Sequence, residues 1–302
     1  MKKKHNQEII MENKINAPYE IGKGTSSIPV PDMNDEWFKA YRDAGVKYME
    51  ISPAEGDEYK VDFEYLARLS EKYGVVLWSY HLPFMPFEGL DISKPELADH
   101  SVEYISELIR RAGKVGIKIF VIHPSGEPID DADRSTRMEC SKKSLKKLAA
   151  VAREYGATIA VENLPRTCLG KNSAEILELV SVDPDLRVCF DTNHLLGESH
   201  ESFLKNVGGE LIVTTHISDY DFVDEKHFMP GEGRIDWQKF LRDLIASGYK
   251  GIWLYELGLI SGRIIRERPF TLDDYRINFE EICAGKKLTT LKGKFLVPVF
   301  LD

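Results

Sequence analysis

A chain of 302 residues, 43% hydrophobic and 29% charged, can bury the core of one large domain or two ordinary ones, which excludes disorder, collagen and coiled coil. Forty basic against forty-nine acidic residues leave a net charge of -9, the wrong field for binding duplex nucleic acid. The longest apolar runs are strand-sized, short of the ~20 residues that span a bilayer, so no membrane partner is expected either.

The opening MKKKHNQEIIMENK has the basic residues of a leader without its apolar stretch, because Glu8 and Glu12 interrupt it. Residues 1–18 therefore read as an N-terminal extension of a cytoplasmic chain. A weak β-rich run follows at Tyr19–Ser26. Within it, GKGT at Gly22–Thr25 lacks the spacing of G-x-G-x-x-G and the length of a P-loop, and reads as a simple turn. Val46–Ser52 comes next, then a helical stripe of Phe63, Leu66, Leu69 and Tyr73 stopped by Gly74, then Val75–His81. Val102, Ile105, Leu108, Ile109 and Ala112 form a second stripe, ended by Gly116 before Ile117–His123. Leu145, Leu148, Ala152 and Tyr155 end at Gly156, and Thr158–Glu162 follows.

Asn172 with Glu175 has capping-box spacing and opens a helix ahead of Leu186–Asp191. Leu211–Ile217 precedes the stripe Phe240, Leu241, Leu244 and Ile245, which stops at Gly248 before Gly251–Glu256. Thr271 with Asp274 starts the last helix. Eight strands alternating with helices, at roughly 33 residues per unit, predict an α/β chain folded as a (β/α)8 TIM barrel over residues 19–291. Residues 292–302 contain the apolar run Phe295–Phe300, a docked tail or a contact in a homo-oligomer. Cys140, Cys168, Cys189 and Cys283 form no CxxC pair, so neither a zinc finger nor a disulfide framework is indicated.

The chemistry stands at the strand ends. VVLWSYHLPF carries His81, IFVIHPSGEP His123, TIAVENLPR Glu162, VCFDTNHLL Asp191 and His194, IVTTHISDYD His216 and IWLYELG Glu256, while HFMPGEG adds His227. In a barrel these ends open on the face where active sites sit. One His after an apolar strand is usually a hydrogen-bonded core or rim residue, and one Asp a helix cap. Repetition over six strands shifts the balance, since each such group is costly there unless paired or metal-bound. Carboxylates with imidazoles suit Mn²⁺, Mg²⁺, Co²⁺ or Zn²⁺. Glu162, Asp191, His216 and Glu256 are accordingly predicted to hold one divalent metal ion.

VENLPR, FDTNH, THISDYD with HFMPGEGRIDW, and LYELG together resemble the xylose-isomerase-like barrel superfamily, from about Val46 to Glu256. That superfamily holds sugar and sugar-phosphate isomerases and epimerases, inosose dehydratases and the three-zinc apurinic endonucleases. The resemblance implies the same four metal ligands and a His194 that touches substrate oxygen. His81 and His123 match extra zinc ligands of the nuclease branch, which are pocket residues in the isomerase branch. His227 matches the last His of the nuclease D-x-H motif, but Glu225 stands where that motif has Asp, so a third zinc position is expected to be incomplete.

The expected activity is a metal-dependent isomerisation or epimerisation of a sugar or sugar derivative. A proton is abstracted beside a carbonyl, and the ene-diolate lies on a Lewis acid. By resemblance, Glu162 and Glu256 are the acid/base pair as well as ligands; ligation alone is the alternative. Arg166 and Asn163 bind sugar hydroxyls or orient a ligand carboxylate, or else form a rim salt bridge and a turn. His81, His123, His194 and His227 complete the expected substrate cavity, with Glu50 a minor candidate. Arg263, Arg266 and Arg268 follow strand eight, where barrels often bind phosphate, although a solvated loop is the default. The alternatives are hydrolysis of abasic DNA by a trinuclear site, a keto-polyol dehydratase, and a barrel that only binds a carbohydrate. Metal content separates the first from an isomerase, and two opposed carboxylates argue against the last.

Overall fold

The computed structural model describes residues 14–25, 28–54, 56–84, 89–258 and 264–295. Eight parallel strands form its centre: β1 (Ile21–Gly24), β2 (Tyr48–Ile51), β3 (Val76–His81), β4 (Ile119–Ile122), β5 (Thr158–Glu162), β6 (Arg187–Asp191), β7 (Ile212–His216) and β8 (Trp253–Tyr255). Each pairs with its neighbour in sequence, and β8 pairs back onto β1, in the order β7-β6-β5-β4-β3-β2-β1-β8. Between β7 and β8 a single bridge, Ile217 to Tyr255, closes the ring. The chain is a (β/α)8 barrel, as its alternation of strands and helices predicts.

Helices cover the outside of the barrel: α1 (Asp35–Ala44), α2 (Phe63–Tyr73), α3 (Ala98–Lys114), α4 (Arg134–Arg153), α5 (Ser173–Val180), α6 (His200–Val207), α7 (Trp237–Ala246) and α8 (Leu272–Cys283). Local chemistry sets their ends. Asn34 accepts from the N–H groups of Glu36 and Trp37 to open α1, and Gly45, at φ 74°, closes it in the left-handed conformation. Asn172 caps α5, and Thr271 with Asp274 forms the capping box of α8. Helix α6 is opened by the Ser199 cap and buries Phe203, Leu204 and Val207.

One expectation needs correction. GKGT is not a turn: Gly22 to Gly24 are strand β1, paired with Tyr48 to Glu50 on one side, while Ile21 to Lys23 pair with Trp253 to Tyr255 on the other. Glycine at position 22 gives the neighbours room: a Cβ there would come within 2.7 Å of Cδ1 of both Ile252 and Leu254, which would have to shift. The closing stretch begins against the barrel's last loop segment. Lys292–Phe295 (β10) pairs antiparallel with Ile264–Arg266 (β9) in the segment after β8. The rest of the apolar run, from residue 296, lies outside the described residues, as do residues 1–13 of the N-terminal extension.

The strands change character along their length. Inside the lower barrel Ile119, Val121, Ala160 and Cys189 pack with Trp78 and Val213. Two residues further along each strand the inward positions turn polar, so that Cys189 gives way to Asp191 and Ala160 to Glu162. Outward residues such as Val188, Phe190 and Val161 join the layer between sheet and helices. An apolar floor thus lies directly under a ring of ionisable side chains.

Candidate metal and catalytic site

That ring converges on His216. Its Nδ1 lies 3.0 Å from Oε1 of Glu162, 3.4 Å from Oε2 of Glu256 and 4.0 Å from Oδ2 of Asp191. Glu162, Asp191 and His216 have no exposed side-chain surface, whereas Glu256 keeps 20% of its own accessible. Two carboxylate oxygens here, Asp191 Oδ2 and Glu256 Oε2, are buried without a hydrogen-bond partner. A cation is what such orphaned acceptors lack, since an unpaired buried carboxylate oxygen is costly. Donor atoms held about 2.1 Å from one ion lie about 3.0–3.4 Å apart, close to the shorter separations seen here. Glu162, His216 and Glu256 meet these separations, with Asp191 Oδ2 further off at 4.0 Å, and the set as a whole has the donor chemistry of a divalent-ion site.

The protein holds these ligands from behind. Asn163 donates to the carbonyl of Asp191 and accepts from its N–H at 2.9 and 2.8 Å, splicing β5 to β6 beyond the last ladder bond. The N–H of Asn193 binds Oδ1 of Asp191, which leaves Oδ2 turned to the cluster. Asn193 in turn accepts from the N–H of Lys226 at 2.9 Å and sets the loop that carries Glu225 and His227. His227 has a positive φ of 49° in that loop.

The other predicted histidines gather round Glu162. Nε2 of His81 and of His123 lie 3.3 and 3.2 Å from its Oε2. Phe84 stacks on His123 with ring centres 3.7 Å apart and closes that side. His194 sits 3.5 Å from Glu162 and 3.6 Å from Asp191. Its Nε2 is 3.4 Å from Oε2 of Glu225. Among the described residues three sets of ligand atoms come within 4.8 Å of one another: His81, Glu162, His216 and Glu256; Glu162, Asp191 and His194; and His194, Glu225 and His227. The last set differs from expectation. Glu225 does not leave a gap, because its longer side chain reaches His194 from a position that the D-x-H spacing reserves for Asp.

Electrostatics follow from this crowding. Burial alone would lower His194, but Asp191, Glu225, Glu162 and Glu256 outweigh it and raise its pKa to about 10. Burial dominates at His123 and pushes it down to about 4. Burial would raise Glu162, yet the charges of His216 and His123 hold it well below the ordinary range. Glu256 is pushed up to about 7, first by burial and then by Glu162 and Asp191.

Arg166, expected near substrate, stands at the rim at a positive φ of 51°. It donates to Glu127 at 3.0 Å and to Asp224 at 2.7 Å, and lies 3.4 Å from Glu225. The structure therefore places it against the loop that carries the third cluster. Arg266 and Arg268 are occupied by Glu232 and Asp274, each at 2.7 Å; Arg263 lies outside the described residues. The PGEGRIDW loop is organised by a residue that motif reading passed over. Asp219 accepts from the N–H groups of Gly231, Gly233, Arg234 and Ile235 and from the indole of Trp237. Its place in HISDYD, just before a Gly-rich loop, is the signal that could have marked it.

A concavity of about 700 Å³ also opens at the opposite end of the barrel, lined by residues that include Trp78, Lys118, Arg187 and Val213. Among the described residues it brings together no convergent ligand set, and its cations stand near helix C-termini, where the dipole favours them.

Residues 38–267 match the xylose isomerase-like TIM barrel family. An uncharacterized protein of Methanocaldococcus jannaschii, MJ1188, is 28% identical over 79% of this chain and 88% of its own length. A probable endonuclease 4 of Acholeplasma laidlawii is 25% identical over 52% of this chain and 60% of its own. Fructoselysine 3-epimerase of Escherichia coli O157:H7 is 26% identical over 38% and 44%. Among solved structures, a D-tagatose 3-epimerase-like protein superposes with a TM-score of 0.69 at 24% identity, over 78% of this chain and 89% of that one. The 3-keto-D-glucoside 4-epimerase YcjR of E. coli gives 0.68 at 19% identity, over 87% and 98%.

Proposed function

We propose, from the premise that this chain belongs to the xylose isomerase-like TIM barrel family, that it is a divalent-metal-dependent isomerase or epimerase of a sugar or sugar derivative. The observation that carries the reading is the convergence of Glu162, Asp191 and Glu256 on Nδ1 of His216, with two orphaned carboxylate oxygens at the centre. Relatives and structural neighbours named as sugar epimerases support it. A bound divalent ion supplies positive charge where negative charge develops on substrate oxygens.

The side chains do the rest. Glu256, the ligand with accessible surface, meets the substrate and takes the proton beside the carbonyl. Glu162 approaches from the far side of the cluster and is the candidate to return a proton. His194 and His227 flank the opening and bind hydroxyl oxygens. Apolar walls at Phe84 and the barrel floor limit water. The partner is a small sugar, consistent with the net charge of -9. Among the described residues no helix is long and apolar enough to cross a membrane.

The test is a panel of ketoses incubated with Mn²⁺-loaded protein in deuterated water. Chelator-sensitive loss of the proton signal beside the carbonyl, with a new epimer or isomer, is the expected result. No exchange with any ketose, keto-polyol or sugar phosphate would sink the reading.

One observation favours a second reading, phosphodiester hydrolysis. The set of His81, Glu162, His216 and Glu256 and that of His194, Glu225 and His227 give room for more than one ion, and one relative is named as a probable endonuclease 4. Three zinc ions per chain, with chelator-sensitive nicking of abasic duplex DNA lost in His123→Ala, would establish this second reading.

A further inference from the structure

Three of the histidines at the mouth have one ring nitrogen turned onto a backbone carbonyl. Nδ1 of His81 lies 3.0 Å from the carbonyl of Leu82, Nδ1 of His194 3.0 Å from that of Asn163, and Nδ1 of His227 3.2 Å from that of Glu256. A carbonyl only accepts, so each of these nitrogens carries the hydrogen, and Nε2 is the atom left to face an ion or substrate.

His216 is fastened the other way round. Its Nε2 lies 3.0 Å from Oε1 of Glu50 and 3.2 Å from Oε2, while Nδ1 faces Glu162, Asp191 and Glu256. Glu50 stands on β2 opposite Ser79 of β3, whose hydroxyl donates to Oε2 at 2.7 Å. Glu50, Ser79 and His216 are all fully buried. Glu50 belongs to none of the groups of converging ligand atoms. It touches the ring rather than the place where the four ligands meet.

We propose that Glu50 is a positioning residue for the metal site: its carboxylate accepts the Nε2–H of His216, fixes the tautomer whose lone pair is on Nδ1, and thereby sets the affinity for the ion. A carboxylate in this place does more than a carbonyl could, because its charge makes the imidazole a stronger donor to the metal. A buried carboxylate is costly without partners; Ser79 and His216 both bond its Oε2, while Oε1 has no hydrogen bond and only the charge of the imidazole 3.0 Å away. The inference rests on the reading that Glu162, Asp191, His216 and Glu256 hold a divalent ion.

The experiment is calorimetric titration of the chelator-treated full chain with Mn²⁺, comparing the unmodified protein with Glu50→Gln, Glu50→Ala and Ser79→Ala. Glu50→Ala should weaken Mn²⁺ by about 10–100-fold, the usual effect of losing an outer partner of a ligating histidine. Glu50→Gln should lose less, because its amide oxygen still accepts from Nε2–H, and Ser79→Ala least, in the same direction. Nitrogen-15 spectra of the Zn²⁺-loaded protein should show His216 as a single Nε2–H form that Glu50→Ala removes. If Glu50→Ala fails to fold, the isosteric Glu50→Gln and the distant Ser79→Ala carry the comparison. Unchanged Mn²⁺ affinity in the Glu50 variants, with only a lower melting temperature, would show a purely structural role and overturn the proposal. Absence of Mn²⁺ binding by the unmodified protein would overturn the metal reading and this proposal together.

Discussion

Glu162 on β5 and His216 on β7 meet across the barrel mouth, Oε1 to Nδ1 at 3.0 Å, with no solvent on either side chain. Every other ionisable group of the site is arranged about this contact. Asp191, on the strand between them, is in register with His216 and completes the third side.

Asp191 is therefore the cleanest probe of the ion. Its Oδ1 accepts from Asn193, while Oδ2 is orphaned. Asp191→Asn removes one anionic ligand but leaves a side chain of the same shape and the pairing of its backbone with Asn163. Mn²⁺ affinity should fall by more than the ~10–100-fold typical of an outer partner, with the circular dichroism spectrum unchanged. Retained affinity would remove Asp191 from the ligand set.

The third cluster gives a pH signature in the metal-free protein. His194 has its pKa raised to about 10 by neighbouring carboxylates that outweigh burial. Against an unfolded value of ~6.5, its contribution to stability is complete below ~6.5 and is lost as pH rises through about 10. Glu225 is lowered to about 2, because His194, His227 and Arg166 outweigh burial. Its contribution is complete above an unfolded value of ~4.3 and is lost as pH falls through about 2. Glu225→Gln should therefore lower the melting temperature most between those two unfolded values, and the gap should narrow towards both extremes. A gap independent of pH would mean that the pair at 3.4 Å has no electrostatic part in stability.

The strands and their polar ends were legible because barrel strands impose a simple rule: apolar residues in the ladder, then chemistry at the C-terminal end. His81, Glu162, Asp191 and His216 end their strands, His123 and Glu256 stand just beyond theirs, and His194 follows Asp191 by three residues. What sequence could not supply was pairing. Glu50 carries no motif, and only the ring's curvature shows that it lies behind His216. Glu225 departs from the D-x-H spacing, yet its carboxylate comes within 3.4 Å of His194. Arg166 was placed near substrate by its closeness to Glu162 in sequence, yet its positive φ and three carboxylate neighbours turn it along the rim. Gly22 read as a turn because glycine is rare within strands; here it clears the close approach of Ile252 and Leu254.

The loop after β7 should be sensitive at Gly233. A Cβ there would lie 2.3 Å from Oδ1 of Asp219 and 2.4 Å from the carbonyl of Tyr220. Gly233→Ala must displace either a backbone or the carboxylate that gathers the loop's N–H groups. A loss of about 1–3 kcal/mol is expected, the usual cost of overpacking, together with faster amide exchange at Gly231, Arg234 and Ile235. Unchanged exchange would show that Asp219 does not hold the loop.

The proton-transfer pair gives the most direct test of the chemistry. Glu162 and Glu256 both face Nδ1 of His216, but Glu256 keeps 20% of its side chain accessible and Glu162 none. Their environments also pull in opposite directions, Glu256 up to about 7 and Glu162 well below the carboxylate range. A base that meets substrate first must be reachable, so Glu256 is proposed for the first abstraction; Glu162, held ionised, can return a proton only after taking one from a neighbouring imidazole such as His81, 3.3 Å away. Gln is the better probe at both positions, because its oxygen can still ligate while its amide cannot act as a base. Each variant should keep much of its metal and lose turnover by ~100- to 10,000-fold. They should differ in deuterated water. Glu162→Gln retains Glu256 and should still wash the substrate proton into solvent without forming product; Glu256→Gln should do neither with that epimer. Near-normal turnover in both variants would show that the carboxylates only ligate, with the proton carried by water or His194.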